Sequence, residues 1–395
     1  MGHHPRELAS LEATSLKPPQ SVRAEWLPLA ALTAHVSAWE DLARRALEPN
    51  VFYEPAFALP AAAVFGRGAG AVLVWSTREQ LIGLFPARIE RRRYGFAPAV
   101  LVGWTHPYAP LGVPLVDRDE AFAAITTWLD YVTREAGMPN LILFPYIGVE
   151  RPFATALRDV IAARDGQSAC FGAHARALLA PQDERGEYLQ RALSAKKRKE
   201  LGRQRRRLGD HAQVEVRIAD RPPDISAALA AFMALEARGW KGSAGTAAAN
   251  NPAIHDFMQR ALGALAERSQ AHIAQLLLDE RPIAAAIVLR SGAAGWFWKV
   301  TYDEEAARAS PGVQLALDLT RAILSDAALS QVDSCATPDH PMIDHLWRER
   351  LALADLLIAA DADAASTFAL VRRLEAARRR VIDCAKWART RLRRD

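Results

Sequence analysis

The chain has 395 residues, half of them hydrophobic, and a formal net charge of +5, which together predict a globular protein of two or three domains. The three cysteines, Cys170, Cys335 and Cys384, lie far apart without paired ligand spacing, so neither a disulfide framework nor a zinc site is indicated and a reducing cytoplasm fits best. The first twenty residues lack the apolar core of a signal peptide, and the run from Ile283 to Leu289 is bounded by arginines, so neither export nor membrane insertion is expected.

The first half of the chain predicts two helices followed by a hairpin. The helices are Leu27 to Leu47 and Pro55 to Phe65, and residues 72 to 89 read as strand, charged tight turn and strand. After the hairpin come a strand, the loop Pro107 to Gly112, a helix from Glu120 to Glu135 and a strand from Asn140 to Tyr146. A further helix and strand end this half.

The second half predicts the same order of elements after a basic helix. That helix spans Lys196 to Leu208, and residues 196 to 207 hold eight basic residues and one acid. The hairpin, residues 273 to 290, follows the first half's hairpin by 201 residues, with Glu280 placed as Glu79 is. The other predicted elements are helices Ile225 to Arg238 and Pro252 to Arg268, a strand from Gly295 to Val300, a helix from Gly312 to Ser325, a strand from Gln331 to Cys335, and a further helix and strand.

A second basic segment ends the chain. Val371 to Asp395 holds ten basic residues and three acids and predicts a helix. Basic segments of this kind can bind nucleic acid or anionic membranes. Neither run interleaves aromatic residues for base stacking, however, so we expect solvated helix faces and no stable nucleic-acid partner.

Strands and helices in this repeated order predict an α/β (α+β) fold built from one unit twice. Each copy is expected to form a mixed, largely antiparallel sheet covered by helices on both faces. The predicted domains are residues 22–182 and 183–362, flanked by a flexible N-terminus, 1–21, and the basic C-terminal helix, 363–395.

The start of the helix at Ser310-Pro311-Gly312 is a candidate phosphate site. A helix that begins just beyond a strand end presents unpaired backbone N–H groups and a positive dipole end to an anion. Serine at the cap and proline at the first helical position also describe an ordinary helix start. The neighbouring elements decide between these interpretations.

The order of elements in each copy resembles the GNAT acyltransferase fold. The second copy also contains Leu235 to Gly242, then Gly245-Thr246, Trp298-Lys299, Tyr302-Asp303 and Ser310-Pro311-Gly312. Together with the basic helix, these motifs resemble the CelD/BcsL-type branch, also called the BioF2-like acetyltransferases, which are related to the Fem aminoacyltransferases. The loop Arg308 to Val313 departs from the usual GNAT pattern because it keeps a single glycine.

The resemblance implies an acyl-CoA donor, with acetyl-CoA as the expected case, and no bound metal. The acyl thioester would lie between two strands with its pyrophosphate on the helix start, and an acceptor would attack it directly. The predicted donor-binding residues are Arg308, Ser310, Gly312, Val313 and Gln314. The predicted acceptor-binding residues are Trp240, Lys241, Gly242, Thr246, Trp298 and Lys299.

Proton transfer in such a site needs a base for the acceptor and an acid for the leaving thiolate. Asp303 and Asp333 are the candidate bases, Tyr302 is the candidate acid, and Asp339 and His340 are alternative bases. Each has a structural alternative, as a turn cap, a strand-end charge, a packing residue or a loop residue. Cys335 is interpreted as a small buried thiol because the sequence places no histidine beside it.

The sequence therefore predicts a cytoplasmic acyltransferase whose second half binds the donor and whose first half shapes the acceptor cleft. By family association, the acceptor is an amine or hydroxyl of a carbohydrate or cell-envelope precursor, and the partner is envelope polysaccharide machinery. One alternative is a Fem-like aminoacyltransferase that uses aminoacyl-tRNA. The other is a non-catalytic partner of polysaccharide synthesis.

Overall fold

The structure is a computed structural model that describes residues 22–95, 98–181, 185–210, 212–239, 242, 245 and 247–392, with side chains as far as residue 385. The described strands are β1 Arg23–Pro28, β2 Ala69–Trp75, β3 Leu81–Glu90, β4 Val100–Gly103, β5 Leu115–Val116, β6 Leu141–Gly148, β7 Gln167–Leu179, β8 Val214–Ala219, β9 Ala271–Leu278, β10 Arg281–Ser291, β11 Ala294–Tyr302, β12 Gln331–Asp333 and β13 Glu349–Ala359. The described α-helices are α1 Val36–Arg45, α2 Pro55–Phe65, α3 Ala121–Arg134, α4 Pro152–Ala162, α5 Tyr188–Ala192, α6 Ala195–Gly209, α7 Pro222–Arg238, α8 Pro252–Ala266, α9 Pro311–Ser325 and α10 Ala365–Leu392.

All of these strands join one 13-stranded sheet. Its order is β1-β2-β3-β4-β6-β13-β7-β12-β11-β10-β9-β8, with β5 paired to β3. Two neighbouring pairs are parallel, β4 with β6 and β11 with β12, and the others are antiparallel. The predicted mixed, largely antiparallel sheet with helices on its faces is confirmed.

The two halves exchange their last strands. β7 follows α4 in the chain but pairs with β12 of the second half, where Leu178 lies opposite Asp333. β13 pairs with β6 of the first half, where Leu357 lies opposite Leu143. β7 and β13 also pair with each other, from Glu349 opposite Leu178 onwards. The two copies therefore share a continuous sheet.

The hairpins form as predicted and match each other in detail. Residues 72–89 fall in β2 and β3, and residues 273–290 in β9 and β10. Glu79 and Glu280 both take left-handed backbone conformations in the turns, with φ of 58° and 65°. Each also pairs with an arginine on a neighbouring strand, Arg23 on β1 at 3.0 Å and Arg217 on β8 at 2.9 Å.

Two predicted helices differ from the structure. Leu27 to Leu47 begins as the end of β1 and continues as a 3-10 helix, Leu29–His35, before α1. Tyr131 on α3 accepts the backbone N–H of Trp26 at 3.1 Å, so tertiary contacts hold the preceding segment extended. The further helix predicted in the second half is absent from the described residues 334–348, which form turns and loop before β13.

The second half of the sheet separates two apolar cores. Side chains alternate between the faces of a strand, so Trp296 and Trp298 of β11 join a core with α7, α8 and the first half, whereas Phe297 joins a core with α6 and α9. Val332 of β12 packs in the same core as Phe297. Helix α9 and the first half of the chain consequently lie on opposite faces of the strands that bear the predicted site.

Across the described ranges, the helices include none that combines the length and the apolar composition needed to cross a bilayer.

Candidate active site

A gap opens between β11 and β12. The two strands pair in parallel only from Ala294 to Trp296, and β11 continues to Tyr302 after β12 has ended at Asp333. On the other side of β11, Ile287 lies opposite Lys299 and the next residue, Val288, lies opposite Phe297. Trp298 is therefore the extra residue of a β-bulge, which takes its backbone out of the regular ladder beside the gap.

Helix α9 begins at the mouth of this gap. Ser310 precedes it with left-handed φ and ψ of 53° and 52°, without a side-chain capping bond. The first hydrogen bond of the helix runs from the Gln314 N–H to the Ser310 carbonyl at 3.0 Å. The N–H groups of Gly312 and Val313 come before that bond and are the backbone donors at the helix start.

Gly312 lies in a close environment. A Cβ atom there would lie 3.2 Å from Cδ1 of Tyr302 and 3.6 Å from Sδ of Met342. The loop that carries Met342 also holds His340, whose Nδ1 accepts the Met342 N–H at 3.3 Å. Tyr302 and His340 therefore belong to the surroundings of the α9 start, although Tyr302 is 42% exposed. Burial lowers the pKa of His340, and Asp344 opposes that shift.

Gln314 was predicted to bind the donor, but its backbone N–H and its side-chain nitrogen bond within the protein. Its backbone N–H is used within α9, and its buried side chain donates from Nε2 to the carbonyl of Leu201 at 3.0 Å. Gln314 thereby fastens α9 to α6. Arg308 is exposed on the 3-10 helix Glu304–Ala309, and the half-buried Ser310 joins that helix to α9.

Asp333 lies where β12 ends, in a buried ion pair with Arg176 of β7. The other carboxylate oxygen accepts the Cys335 N–H at 2.9 Å, and Arg176 Nη1 donates to the Pro110 carbonyl at 3.1 Å. Burial alone would lower the pKa of Arg176, but the combined effects of Asp333, Cys335 and Tyr146 raise it. The pair thus ties an exchanged strand, the gap and a first-half loop together.

The loop Pro107 to Gly112 forms a wall of the site. Trp298 donates from Nε1 to the Tyr108 carbonyl at 2.9 Å, and Nζ of Lys299 lies 4.1 Å from the centroid of the Tyr108 ring. Burial, aided by the Glu236 carboxylate, raises the pKa of Tyr108 to about 12. The first half therefore contributes directly to the predicted acceptor side.

The sequence interpretation missed Glu236 and Arg176. Glu236 is 3% exposed near the end of α7, and its Oε2 accepts the Ala248 N–H at 2.8 Å. It falls on the buried face of α7, four residues after Phe232 and three after Met233, and a charge in such a stripe is a usable signal. Arg176 immediately precedes the apolar end of β7 but gives no indication of its partner.

Asp303 caps a turn and pairs with a neighbouring arginine. Its Oδ1 accepts the Glu305 N–H at 3.0 Å, and its Oδ2 lies 2.8 Å from Arg281. Both carboxylate oxygens are thus engaged at the end of β11. Asp339, with φ of 56°, is exposed on the loop after β12.

Trp240, Lys241 and Thr246 lie outside the described residues. Gly242 is described, and its N–H donates to the Gly239 carbonyl at 2.9 Å. A Cβ at Gly242 would overlap the carbonyl oxygen of Ala237, so this corner requires glycine.

The corresponding gap of the first half is closed by its own chain. There β4 pairs in parallel with β6 only at Leu101 and Val102. The Gly112 N–H donates to the Tyr146 carbonyl at 3.3 Å, and a Cβ at Gly112 would overlap the Pro145 carbonyl oxygen. The loop before α3 therefore occupies the space that lies open before α9.

Comparison with known proteins gives one family match and several similar solved structures. Residues 195–340 match the family model described as "Acetyltransferase (GNAT) domain". No curated protein matches the chain. Similar solved structures include FemX (10% identity, 82% of this chain, 95% of that chain, TM-score 0.54) and the C-terminal domain of a putative lysylphosphatidylglycerol synthetase from Agrobacterium fabrum (14%, 84%, 94%, 0.49). A third is a tandem GNAT protein from the clavulanic acid biosynthesis pathway (13%, 85%, 98%, 0.40). The likeness to FemX is one of fold, and the match over residues 195–340 to an acetyltransferase domain supports a transferase.

Proposed function

We propose that the second half transfers an acyl group, with acetyl as the expected case, from acyl-CoA to an amine or hydroxyl acceptor. The observation that carries the proposal is the gap between β11 and β12, which has the start of α9 at its mouth. Backbone N–H groups at a helix start favour phosphate, so Gly312 and Val313 suit the donor's pyrophosphate. Burial of the thioester between the strands would leave its carbonyl facing the first half.

The acceptor is proposed to bind against the wall formed by Tyr108, Trp298 and Lys299. Its nitrogen or oxygen bonds to the acyl carbon, the carbon–sulfur bond breaks, and the thiolate leaves with a proton. Lys299 supplies a positive charge and Tyr108 an aromatic face. The family association of the sequence motifs, rather than this geometry, points to a carbohydrate or cell-envelope precursor as the acceptor.

For proton transfer, we propose His340 as the base and Tyr302 as the acid. Burial lowers the pKa of His340, which favours the neutral imidazole, and its Nδ1 can accept a proton once it releases the Met342 N–H. The Tyr302 ring lies beside Gly312, and the His340 ring contacts the backbone of Met342, whose sulfur also lies beside Gly312. Asp303 and Asp333 have their carboxylates in ion pairs and turn bonds, which favours structural roles for them.

Calorimetry with acetyl-CoA tests the donor, using Val313→Glu as the disruptive variant. A carboxylate in the first turn stabilises a helix but repels a bound pyrophosphate, so we expect acetyl-CoA affinity to fall by about tenfold or more. Ala123→Glu is the matched control because Ala123 is likewise the third residue of its helix, α3. Thermal unfolding should show both variants folded.

Two results would overturn the proposal: no acetyl-CoA binding by the wild-type protein, or equal losses in the two variants. The Fem-like alternative predicts instead that aminoacyl-tRNA binds and that its affinity falls steeply with added salt.

A further inference from the structure

A cavity of about 260 Å³ lies between α6 and α9. Its charged lining consists of three arginines and one aspartate, Arg198, Arg205, Arg321 and Asp318. We call this cavity the arginine pocket. Its net charge is positive, and the rest of its wall consists of four leucines with Gly202 and Gln314.

The carboxylate of Asp318 pairs with one guanidinium nitrogen of each of two arginines in the arginine pocket. It lies 3.2 Å from Arg205 Nη2 and 2.8 Å from Arg321 Nη1. Arg198 is directed by the backbone, since its Nη1 donates to the carbonyls of Gln190 and Leu193 at 2.5 and 2.6 Å. Three guanidinium groups therefore line one space.

Arg205 has an unmet donor at this place. Its Nη1 is buried and finds no hydrogen-bond partner within the part of the chain that the structure describes. A buried charged donor left without a partner costs about 1–3 kcal/mol or more. An anionic group in the cavity would remove that cost.

We propose that the arginine pocket binds a phosphate monoester group. Guanidinium groups match phosphate oxygens in bidentate geometry. A phosphate monoester carries a charge of about −1.5 to −2 at pH 7, which balances three arginines against one aspartate better than a carboxylate does. The small volume favours a phosphoryl group over a whole drug-sized ligand, whose pockets measure about 300–1,000 Å³.

Two sources could supply this group. Gln314 lines the arginine pocket and also belongs to the first turn of α9, so the pocket adjoins the proposed donor site. The first source is the 3′-phosphate of a bound CoA, and this version rests on the proposed function. The second is a separate phosphorylated small molecule, which does not depend on it.

Calorimetry with CoA, dephospho-CoA and inorganic phosphate distinguishes the sources. If the 3′-phosphate occupies the arginine pocket, wild-type protein should bind CoA at least about tenfold more tightly than dephospho-CoA, and Arg205→Gln should abolish that difference while leaving dephospho-CoA affinity unchanged. If a separate ligand occupies it, phosphate should bind in the presence of saturating CoA, and Arg205→Gln should weaken it.

Arg321→Gln provides a second variant because that arginine is 61% exposed and its replacement should leave the fold intact. Arg372→Gln on α10 removes the same charge from an exposed site and should change nothing. The inference is overturned if Arg205→Gln and Arg321→Gln bind all three probes as the wild type does, or if the wild type neither prefers CoA nor binds phosphate. Phosphate binding without CoA binding would instead refute the proposed donor and leave the arginine pocket standing.

Discussion

Asp333→Asn should destabilise the protein far more than the loss of a surface ion pair does. The Arg176 side chain is 3% exposed and the Asp333 side chain 7% exposed, so removal of the carboxylate leaves a guanidinium buried without its counter-charge. Breaking a buried pair in this way typically costs about 3–5 kcal/mol. The asparagine oxygen can still accept the Cys335 N–H. The loss of folding stability in Asp333→Asn therefore measures the broken ion pair.

The matched control is Glu280→Gln, which breaks the pair between Arg217 and Glu280. Those side chains are 46% and 73% exposed, and such a pair contributes about 0–1 kcal/mol. Urea unfolding at pH 7 measures both variants. A double variant, Arg176→Met with Asp333→Leu, should recover much of the loss because no charge remains buried.

The reasoning is refuted if Asp333→Asn costs no more than Glu280→Gln. It is also refuted if the loss of stability in the double variant equals or exceeds the summed losses of Arg176→Met and Asp333→Leu alone, because the two groups would then not stabilise each other.

Two further predictions concern titratable groups. Burial lowers the pKa of His106 to about 3, so the neutral form is stabilised in the folded protein; stability should decline as pH falls from 6.5 towards 3, by up to about 1.4 kcal/mol per pH unit, and His106→Phe should flatten the urea-unfolding profile over that range. An equally steep profile in the variant would contradict this. Burial raises the pKa of Cys335 well above its usual value, so iodoacetamide at pH 8 should alkylate the exposed Cys170 and Cys384 first, as followed by peptide mass spectrometry; equal modification of Cys335 would show a reactive thiolate instead.

The sequence predicted the elements whose structure is determined by residues that are neighbours in the chain. The hairpins around Glu79 and Glu280 have alternating strands and a tight turn, so periodicity and turn chemistry were enough. The start of α9 was predicted within one residue from Ser310 and Pro311. The basic helix predicted over Lys196 to Leu208 is α6, because charges on one side and leucines on the other repeat at helical spacing.

The sequence did not predict contacts between segments that lie far apart in the chain. Nothing in the local pattern of β7 or β13 shows that each pairs with the other half, because strand periodicity indicates a buried face but not a neighbour. The Arg176 and Asp333 pair was missed for the same reason, being 157 residues apart. Only Leu27 and Pro28, the end of β1, were read as helix, and the rest of β1 was not predicted; its extended conformation depends on Tyr131 of α3, which accepts the Trp26 N–H.

The strand exchange has a consequence for synthesis of the chain. When the first half has left the ribosome, β7 has no partner strand, since both of its neighbours, β13 and β12, lie in the second half. β6 likewise waits for β13, so the sheet is incomplete until residue 359 has been made. Pairing over such sequence separations is slow and exposes strand edges meanwhile. A chain stopped after the first half would therefore present two open edges, and the unit that folds is the pair of copies together.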